Sequence, residues 1–247
     1  MSGHSKWSTI KHKKARLDAK RGKNWGKLAR NITIAAKNGG NPADNPRLRL
    51  AIDKARADNM PNDTIDKAIK KGTGENEGES YEEVLYEGYA PNGVAVMARA
   101  LTDNRNRTAP EIKKIFERHG GNIGPPNCVA WMFSPKGVFI IKADSVSEDR
   151  LMEVALENGA EDVSTSASIH EVICAPEDYE ALRSSLQEAE ILIESSDVTN
   201  IAATTVSLDL DAAKRVLKLI DSLEEQDDVE SVSANFDIPD EVMAQLT

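Results

Sequence analysis

A nine-residue stretch without an apolar side chain, Gly72–Ser80 (GTGENEGES), divides the chain into two parts with different hydrophobic patterns. Its three glycines and polar composition are typical of a linker, because such a segment has no apolar side chains to bury in a core. Before it, apolar residues recur every three or four positions, which predicts helices. After it, short strand-like runs alternate with amphipathic helices. The pattern therefore predicts an α+β protein in which a helical domain precedes α/β domains.

Three helices are predicted before the linker. The first covers residues 23–38, the second has Asn45 as N-cap and Pro46 in its first turn, and the third has Asn62 as its cap and ends at Gly72. Their apolar faces are expected to share one core, made of Trp25, Leu28, Ala29, Ile32, Ala35, Ala36, Leu48, Ala51, Ile52, Ala55, Ile65, Ala68 and Ile69.

Strands and helices alternate beyond the linker. Residues 83–101 are predicted to form a two-stranded hairpin. Thr108, with Glu111 three residues later, has the pattern of a capping box that begins a helix, and a strand is predicted at 128–133. Between residues 134 and 200 the predicted order is βαββαβ, which is the order of a ferredoxin-like sandwich.

The predicted domain boundaries follow from the size of these pieces. The last strand–helix–strand segment, residues 204–236, is too small to bury both faces of its sheet, and the piece at 81–133 has the same deficit. Pairing them gives a discontinuous α/β domain, 81–133 plus 201–247. The ferredoxin-like domain, 134–200, is then inserted into it, and a helical domain at 1–76 precedes both. Three consecutive domains along the chain are the alternative.

The two parts of the chain carry opposite charge. Residues 1–72 hold 18 Lys and Arg against 6 Asp and Glu, a net of +12, whereas the remaining 175 residues hold 13 against 35, a net of −22. A basic module on a chain of net charge −10 is expected to bind a polyanion, because neutralising phosphates releases condensed counterions. The acidic body would repel the same polymer, so contact is expected at one end only. The body would then position the basic module or contact a protein partner.

The densest cations lie between Gly3 and Arg30, where ten Lys and Arg accompany one acid, Asp18, and where Trp7 and Trp25 are interleaved. Cations pair with phosphates and aromatic faces stack on unpaired bases, although a solvated charged face with tryptophans in the core gives the same pattern. On the second helix, bases flank the apolar face in pairs. On the third, lysines lie opposite it, where the helix dipole alone also favours them. The predicted nucleic-acid-binding residues are Lys6, Trp7, Lys11, His12, Lys13, Lys14, Arg16, Lys20, Arg21, Lys23, Lys27, Arg30, Arg47, Arg49, Lys54, Arg56, Lys70 and Lys71.

A second candidate contact is the polar run that follows a predicted strand at residues 102–108. Loops at strand ends often carry binding residues, so Asn104, Arg105, Asn106 and Arg107 are candidates for binding a phosphate or an acidic protein partner. Asn, Asp and Thr also favour turns for purely local reasons, and that interpretation stays open.

The sequence lacks the common motifs of enzymes and cofactor sites. The four histidines have no metal-binding spacing, and Gly120–Gly124 follows a predicted helix and precedes a strand, the reverse of a phosphate cradle. We therefore expect no catalytic residue, metal, cofactor or small-molecule substrate. Cys128 and Cys174 lack paired spacing, which is typical of buried thiols in a reducing compartment. No run approaches the ~20 apolar residues of a membrane span, so a cytoplasmic location is expected.

Several of these stretches together resemble the YebC family. They are Gly3–Trp7, Ile10–Lys14, Asn45–Leu48, Met60–Asn62, Lys71–Gly74, Tyr86–Tyr89 and Thr102–Thr108. The resemblance spans essentially the whole chain and implies a helical domain, two α/β domains, a cytoplasmic location and no known enzymatic activity. Members are usually described as probable transcriptional regulators that bind DNA. The mitochondrial relative is a translational activator of cytochrome c oxidase, and bacterial members have been linked to ribosomes stalled on proline-rich stretches.

The sequence and the resemblance together predict a non-enzymatic regulator of gene expression that binds DNA through a basic N-terminal domain. A translation factor bound to ribosomal RNA is the alternative, because no base-reading motif is recognisable and phosphate contacts suit either polymer. A nucleic-acid-processing enzyme is a further alternative, which would need a cluster of acids or a metal site in the fold. Asp103 beside other carboxylates near a bound metal ion would favour it. The polymer bound, its sequence specificity and the oligomeric state are left open by the sequence.

Overall fold

The computed structural model describes residues 21–75, 81–166 and 168–246. These residues divide into two compact units. The N-terminal unit contains residues 21–128 and 211–232, and the C-terminal unit contains residues 129–210 together with those from 233 onward. The domain boundaries predicted from the sequence, at 76, 81, 133 and 201, stay predictions.

Three helices begin the described chain: α1 (Arg21–Ala36), α2 (Pro46–Ala57) and α3 (Asn62–Gly72). Their predicted apolar faces do share one core, in which Ile32, Ala35, Leu48, Ala55 and Ile65 are buried.

Asn45 begins α2 as predicted: its side-chain oxygen accepts a hydrogen bond from the backbone N–H of Leu48, 3.0 Å away. Its amide nitrogen donates to the carbonyls of Ala35 (2.8 Å) and Gly39 (2.9 Å), which ties the start of α2 to the end of α1. The cap predicted for α3 was wrong by one residue. Pro61 precedes that helix and Asn62 is already helical, without a side-chain cap.

The remaining elements follow in this order: β1 (Glu82–Tyr89), β2 (Ala95–Thr102), α4 (Arg105–Arg118), β3 (Asn122–Ile123), β4 (Phe133–Lys142), α5 (Glu148–Glu157), β5 (Ala160–Thr165), β6 (Ile169–Cys174), α6 (Tyr179–Glu188), β7 (Ile193–Ala202), β8 (Val206–Ser207), α7 (Leu210–Glu225), β9 (Val229–Ala234), β10 (Phe236–Asp237) and α8 (Asp240–Leu246). None of the helices in the described residues combines the length and the apolar character that crossing a bilayer requires.

One four-stranded sheet has the order β3-β1-β2-β9. The predicted hairpin joins β1 and β2, which pair antiparallel along their whole length, and Asn92 and Gly93 in its turn have the positive φ values of 65° and 74°. Helix α4 packs against β1 and β3 with Ile112 and Phe116 fully buried.

Two predictions in this region were wrong. Helix α4 begins at Arg105, with Asn104 rather than Thr108 as its N-cap. Residues 128–133 do not form a strand, because Ala130–Met132 form a short 3-10 helix and β4 begins only at Phe133.

A second four-stranded sheet has the order β5-β6-β4-β7, and each neighbouring pair is antiparallel. With its βαββαβ sequence, this is the strand order of a ferredoxin-like sandwich, as predicted. Helices α5 and α6 bury one face each, and the ring of Tyr179 stacks on Phe139 with 4.9 Å between centroids. Strands β8 and β10 form a separate parallel pair. The α+β class, with helices first and two four-stranded sheets after them, is therefore confirmed.

Candidate nucleic-acid interface

The predicted binding residues divide into those outside and those inside the described chain. Eight lie outside the described residues: Lys6, Trp7, Lys11, His12, Lys13, Lys14, Arg16 and Lys20. Arg21 and Lys23 lie on α1. The other eight lie on the three helices. Five of them contact groups of the N-terminal unit itself, as described below.

Lys27 and Arg30 of α1 contact the end of α7 and the turn between α7 and β9. The Lys27 ammonium donates to the backbone carbonyl of Glu224 (2.6 Å). The Arg30 guanidinium donates through Nη1 to Oδ1 of Asp228 (2.8 Å) and through Nη2 to the carbonyl of Asp227 (2.6 Å). Only 18% of the Arg30 side chain is exposed, and both terminal nitrogens of its guanidinium donate to groups within the protein.

Asp228 binds two arginines and one hydroxyl. Its carboxylate is 4% exposed and accepts hydrogen bonds from Arg30 on one oxygen and from Arg107 (2.8 Å) and the Thr108 hydroxyl (2.7 Å) on the other. Burial by itself would raise the pKa of Asp228, but the hydrogen bonds from Arg107 and Thr108 and the charges of both arginines hold that pKa below its ordinary value. The carboxylate is therefore ionised at neutral pH, and it joins α1 and α4 to the turn that precedes β9.

A second group of charges connects α2 to the sheet. Arg47 donates to Glu83 of β1 at 2.6 Å, and Arg99 of β2 binds both Glu83 (3.3 Å) and Glu230 of β9. Burial would raise the pKa of Glu83, but Arg47 and Arg99 lower it below the ordinary value. The Asn31 amide of α1 also donates to Glu230, at 2.9 Å.

The two last-turn lysines of α3 differ in their surroundings. The Lys71 ammonium lies 4.6 Å from the centroid of the Tyr81 ring, a cation–π contact, while Lys70 is exposed. On α2, Arg56 is exposed, Lys54 is half-buried, and Arg49 lies 3.5 Å from the carbonyl of Pro42. Among the predicted cations whose side chains are described, Arg56 and Lys70 are thus the most open to an external anion.

The second candidate contact is the first turn of α4. Asn104 is the N-cap, with its side-chain oxygen accepting from the backbone N–H of Arg107 at 3.2 Å. Arg105 pairs with Glu82 (3.4 Å), and Arg107 pairs with Asp103 (2.9 Å) as well as Asp228. The local interpretation of these polar residues is thereby supported, since Asn104 begins a helix and the arginines bind nearby carboxylates. Binding of an external partner by Asn104–Arg107 stays a prediction.

Within residues 21–75, 81–166 and 168–246, no group of three or more His, Cys, Asp or Glu side chains could hold a metal ion. Asp103 is paired with Arg107. His170 is buried, with its ring nitrogens 2.9 Å from the Thr165 hydroxyl and 3.2 Å from the Val146 carbonyl. Burial raises the pKa of the Cys174 thiol to about 11, which makes this sulfur a poor nucleophile.

Sequence reasoning missed the acidic half of this arrangement. Asp228, Glu230 and Glu83 decide which cations are neutralised internally, yet each is one of the 35 acids after residue 72 and has no distinguishing motif. The one available signal is that Asp227 and Asp228 directly precede a predicted strand. Asp is common in turns for local reasons, so that position does not identify Asp228 as a partner of Arg30.

Comparisons with known proteins agree over the whole chain. Residues 5–75 match the family described as "TACO1/YebC protein N-terminal domain", and residues 81–236 match "TACO1/YebC second and third domain". A protein of Dictyoglomus turgidum named "Probable transcriptional regulatory protein" is 53% identical over 249 residues, covering 100% of both chains. One of the same name from Syntrophobacter fumaroxidans is 52% identical over 248 residues, again covering 100% of both.

A crystal structure of a conserved hypothetical protein from Aquifex aeolicus is 48% identical in sequence and superimposes with a TM-score of 0.81. The match covers 92% of this chain and 94% of that one.

Proposed function

Since the chain belongs to the TACO1/YebC family, we propose that it is a non-enzymatic regulator of gene expression that binds DNA through its basic N-terminal helical domain. The observation that carries the proposal is the net charge of +12 on residues 1–72 against −22 on the rest. The relatives named as probable transcriptional regulatory proteins support a function in gene expression.

The binding energy in this proposal comes from the phosphate backbone. Lysine and arginine side chains displace condensed counterions from the polymer, and the entropy of the released ions favours binding at low salt. Arg56 and Lys70 are exposed on α2 and α3, so they can reach phosphates without breaking an ion pair that the structure shows. The acidic residues after the linker keep the rest of the molecule away from the polymer.

The test is the salt dependence of DNA binding by charge-reversal variants of the full chain. The double variant Arg56→Glu/Lys70→Glu is compared with Lys113→Glu/Lys114→Glu, which makes the same charge change at exposed positions of α4. If both basic residues contact phosphates, the slope of log K against log salt becomes shallower by roughly 1.8 in the first variant, about 0.9 for each lost contact. The control is expected to keep the wild-type slope. Equal slopes and affinities in all three proteins would refute the assignment of Arg56 and Lys70.

The predicted basic arm is tested in the same assay by the variant Lys11→Glu/Lys13→Glu/Lys14→Glu/Arg16→Glu. Loss of polyanion binding is expected, and an unchanged affinity contradicts the arm's role.

The polymer itself is identified by crosslinking in cells followed by sequencing of the bound nucleic acid. Promoter DNA is expected. Recovery of ribosomal RNA instead would overturn the DNA proposal and favour a translation factor.

A further inference from the structure

Three elements of the N-terminal unit meet at one carboxylate. Arg30 reaches Asp228 from α1, Arg107 and Thr108 reach it from the first turn of α4, and Asp228 itself ends the turn that follows α7. The turn is fixed from within as well, because the Gln226 side-chain oxygen accepts from the backbone N–H of Asp228 at 2.6 Å. The backbone carbonyl of Asp228 accepts from Leu101 of β2 at 2.8 Å, so the turn is also joined to the sheet.

Helix α1 contacts this region along a stripe of its own. Lys27, Arg30, Asn31 and Ile34 recur at the three- and four-residue spacing of one helix face. The first three bind the segment 224–230. Ile34 is 7% exposed and does not belong to the core that the three helices share. One face of α1 therefore builds the helical domain, and another holds that domain on the α/β part of the same unit.

The contacts of Arg30 leave it poorly suited to bind a phosphate. Both terminal nitrogens of its guanidinium already donate, one to a carboxylate and the other to a backbone carbonyl. To contact an external phosphate, Arg30 would have to break its ion pair with Asp228. The Asp228 carboxylate is only 4% exposed, and losing an ion pair is costly for a buried charge.

We propose that Asp228 is a positioning residue for the nucleic-acid interface: by binding Arg30 and Arg107 together it sets the orientation of α1, and with α1 the orientation of the basic helical domain. Arg30 in this arrangement is a structural contact and not a phosphate contact. The inference rests on the proposed function only in taking the helical domain as the binding surface. The clamp formed by Arg30, Asp228 and Arg107 stands on the hydrogen bonds themselves.

The clamp is tested without nucleic acid by hydrogen exchange in the full chain. In Asp228→Asn the carboxamide keeps the shape of the side chain but loses its charge and one acceptor oxygen. Backbone amides of residues 27–34 are expected to exchange about tenfold faster, the effect of losing a charge-assisted hydrogen bond. Arg30→Lys, which keeps the charge but cannot donate to two partners in the same fork geometry, is expected to act in the same direction. Asp162→Asn, at an exposed position of β5, is the control and is expected to change nothing in α1. Unchanged exchange in both clamp variants would refute the clamp.

The positioning role is tested by DNA binding of the same variants at several salt concentrations. Asp228→Asn is expected to weaken binding about threefold or more with the salt slope unchanged, because the number of phosphate contacts is the same and only their alignment is lost. Tighter binding with a slope steeper by roughly 0.9 would overturn the inference, since Asp228 would then be holding back a phosphate contact made by Arg30. If the wild-type protein shows no salt-dependent binding to DNA or RNA, the proposed function fails. The exchange experiment still decides whether the clamp exists.

Discussion

Gly72, the last residue of α3, lies against α1 at a distance that leaves no room for a side chain. A Cβ added there would be 2.3 Å from the backbone oxygen of Thr33 and 2.6 Å from the Cβ of Ala36. The two helices already touch at this crossing, where the Thr33 hydroxyl lies 3.2 Å from the carbonyl of Ala68. We therefore predict that Gly72→Ala destabilises the packing of α3 on α1.

The magnitude follows from these distances. Real Cβ atoms stay more than 3.0 Å from such neighbours, so α3 must move by about 1 Å at a position where the closest obstacle is helix backbone. Overpacking of this kind costs about 1–3 kcal/mol. A gain in helix propensity offsets up to about 1 kcal/mol of that cost. Taking about 2 kcal/mol, the middle of the overpacking range, we expect a net loss of about 1–2 kcal/mol.

Gly26 provides the matched control, because it also lies in a helix and a Cβ there would meet none of the described residues within 4 Å. Gly26→Ala is therefore expected to stabilise α1 by up to about 1 kcal/mol, through helix propensity alone. Hydrogen exchange of α1 and α3 in the full chain gives the local opening free energy of each helix. If Gly72→Ala leaves the exchange of both helices unchanged, or stabilises them as Gly26→Ala does, the close approach of α3 to α1 is not present and the reasoning fails.

Two further predictions concern Asn45 and Asp228. Asn45→Ala removes the cap of α2 and one of the two hydrogen bonds shown at the Ala35 carbonyl, which also accepts from the backbone N–H of Asn38 at 3.3 Å, so urea denaturation should report a loss of about 1–2 kcal/mol, whereas an effect below ~0.5 kcal/mol would contradict the cap. The folded-state pKa of Asp228 is below its unfolded value, so the stability it provides is present above about pH 4 and is lost as the pH falls through the folded-state pKa. Comparing acid denaturation of the wild type with that of Asp228→Asn should show the difference in stability shrinking towards low pH, and a difference that is constant with pH would contradict the ion pairs with Arg30 and Arg107.

The sequence predicted best those features that depend on near neighbours in the chain. Asn45 followed by Pro46 marks a helix start within two residues, and the structure has that cap. Thr108 followed by Glu111 carries an equally local signal, but there the prediction failed. The Thr108 hydroxyl instead meets the Thr102 hydroxyl at 2.7 Å and the Asp228 carboxylate, 120 positions away along the chain. A buried tertiary partner decided its role, so Asn104 begins the helix.

The candidate interface shows the same division between local and distant information. Clustering of cations before the linker is visible in the sequence, and three of them, Lys27, Arg30 and Arg47, bind partners that the sequence does not reveal. The partner of Arg30 is 198 residues away. Charge patterning therefore locates a basic module, but it does not separate the cations that stabilise the fold from those that remain exposed.

The position of β9 in the first sheet has a consequence for how the protein is made. This strand lies beside β2 in the sheet, yet residues 103–228, including the whole ferredoxin-like segment, are synthesised between the two. On the ribosome, the hairpin of β1 and β2 is complete long before β9 and Asp228 leave the exit tunnel. Until then, the edge of β2 has no neighbour from β9 and Arg30 has no Asp228 to bind. The basic helical domain of a nascent chain thus leaves the exit tunnel before Asp228, which binds Arg30, has been synthesised. The final arrangement of α1 must therefore be established near the end of synthesis.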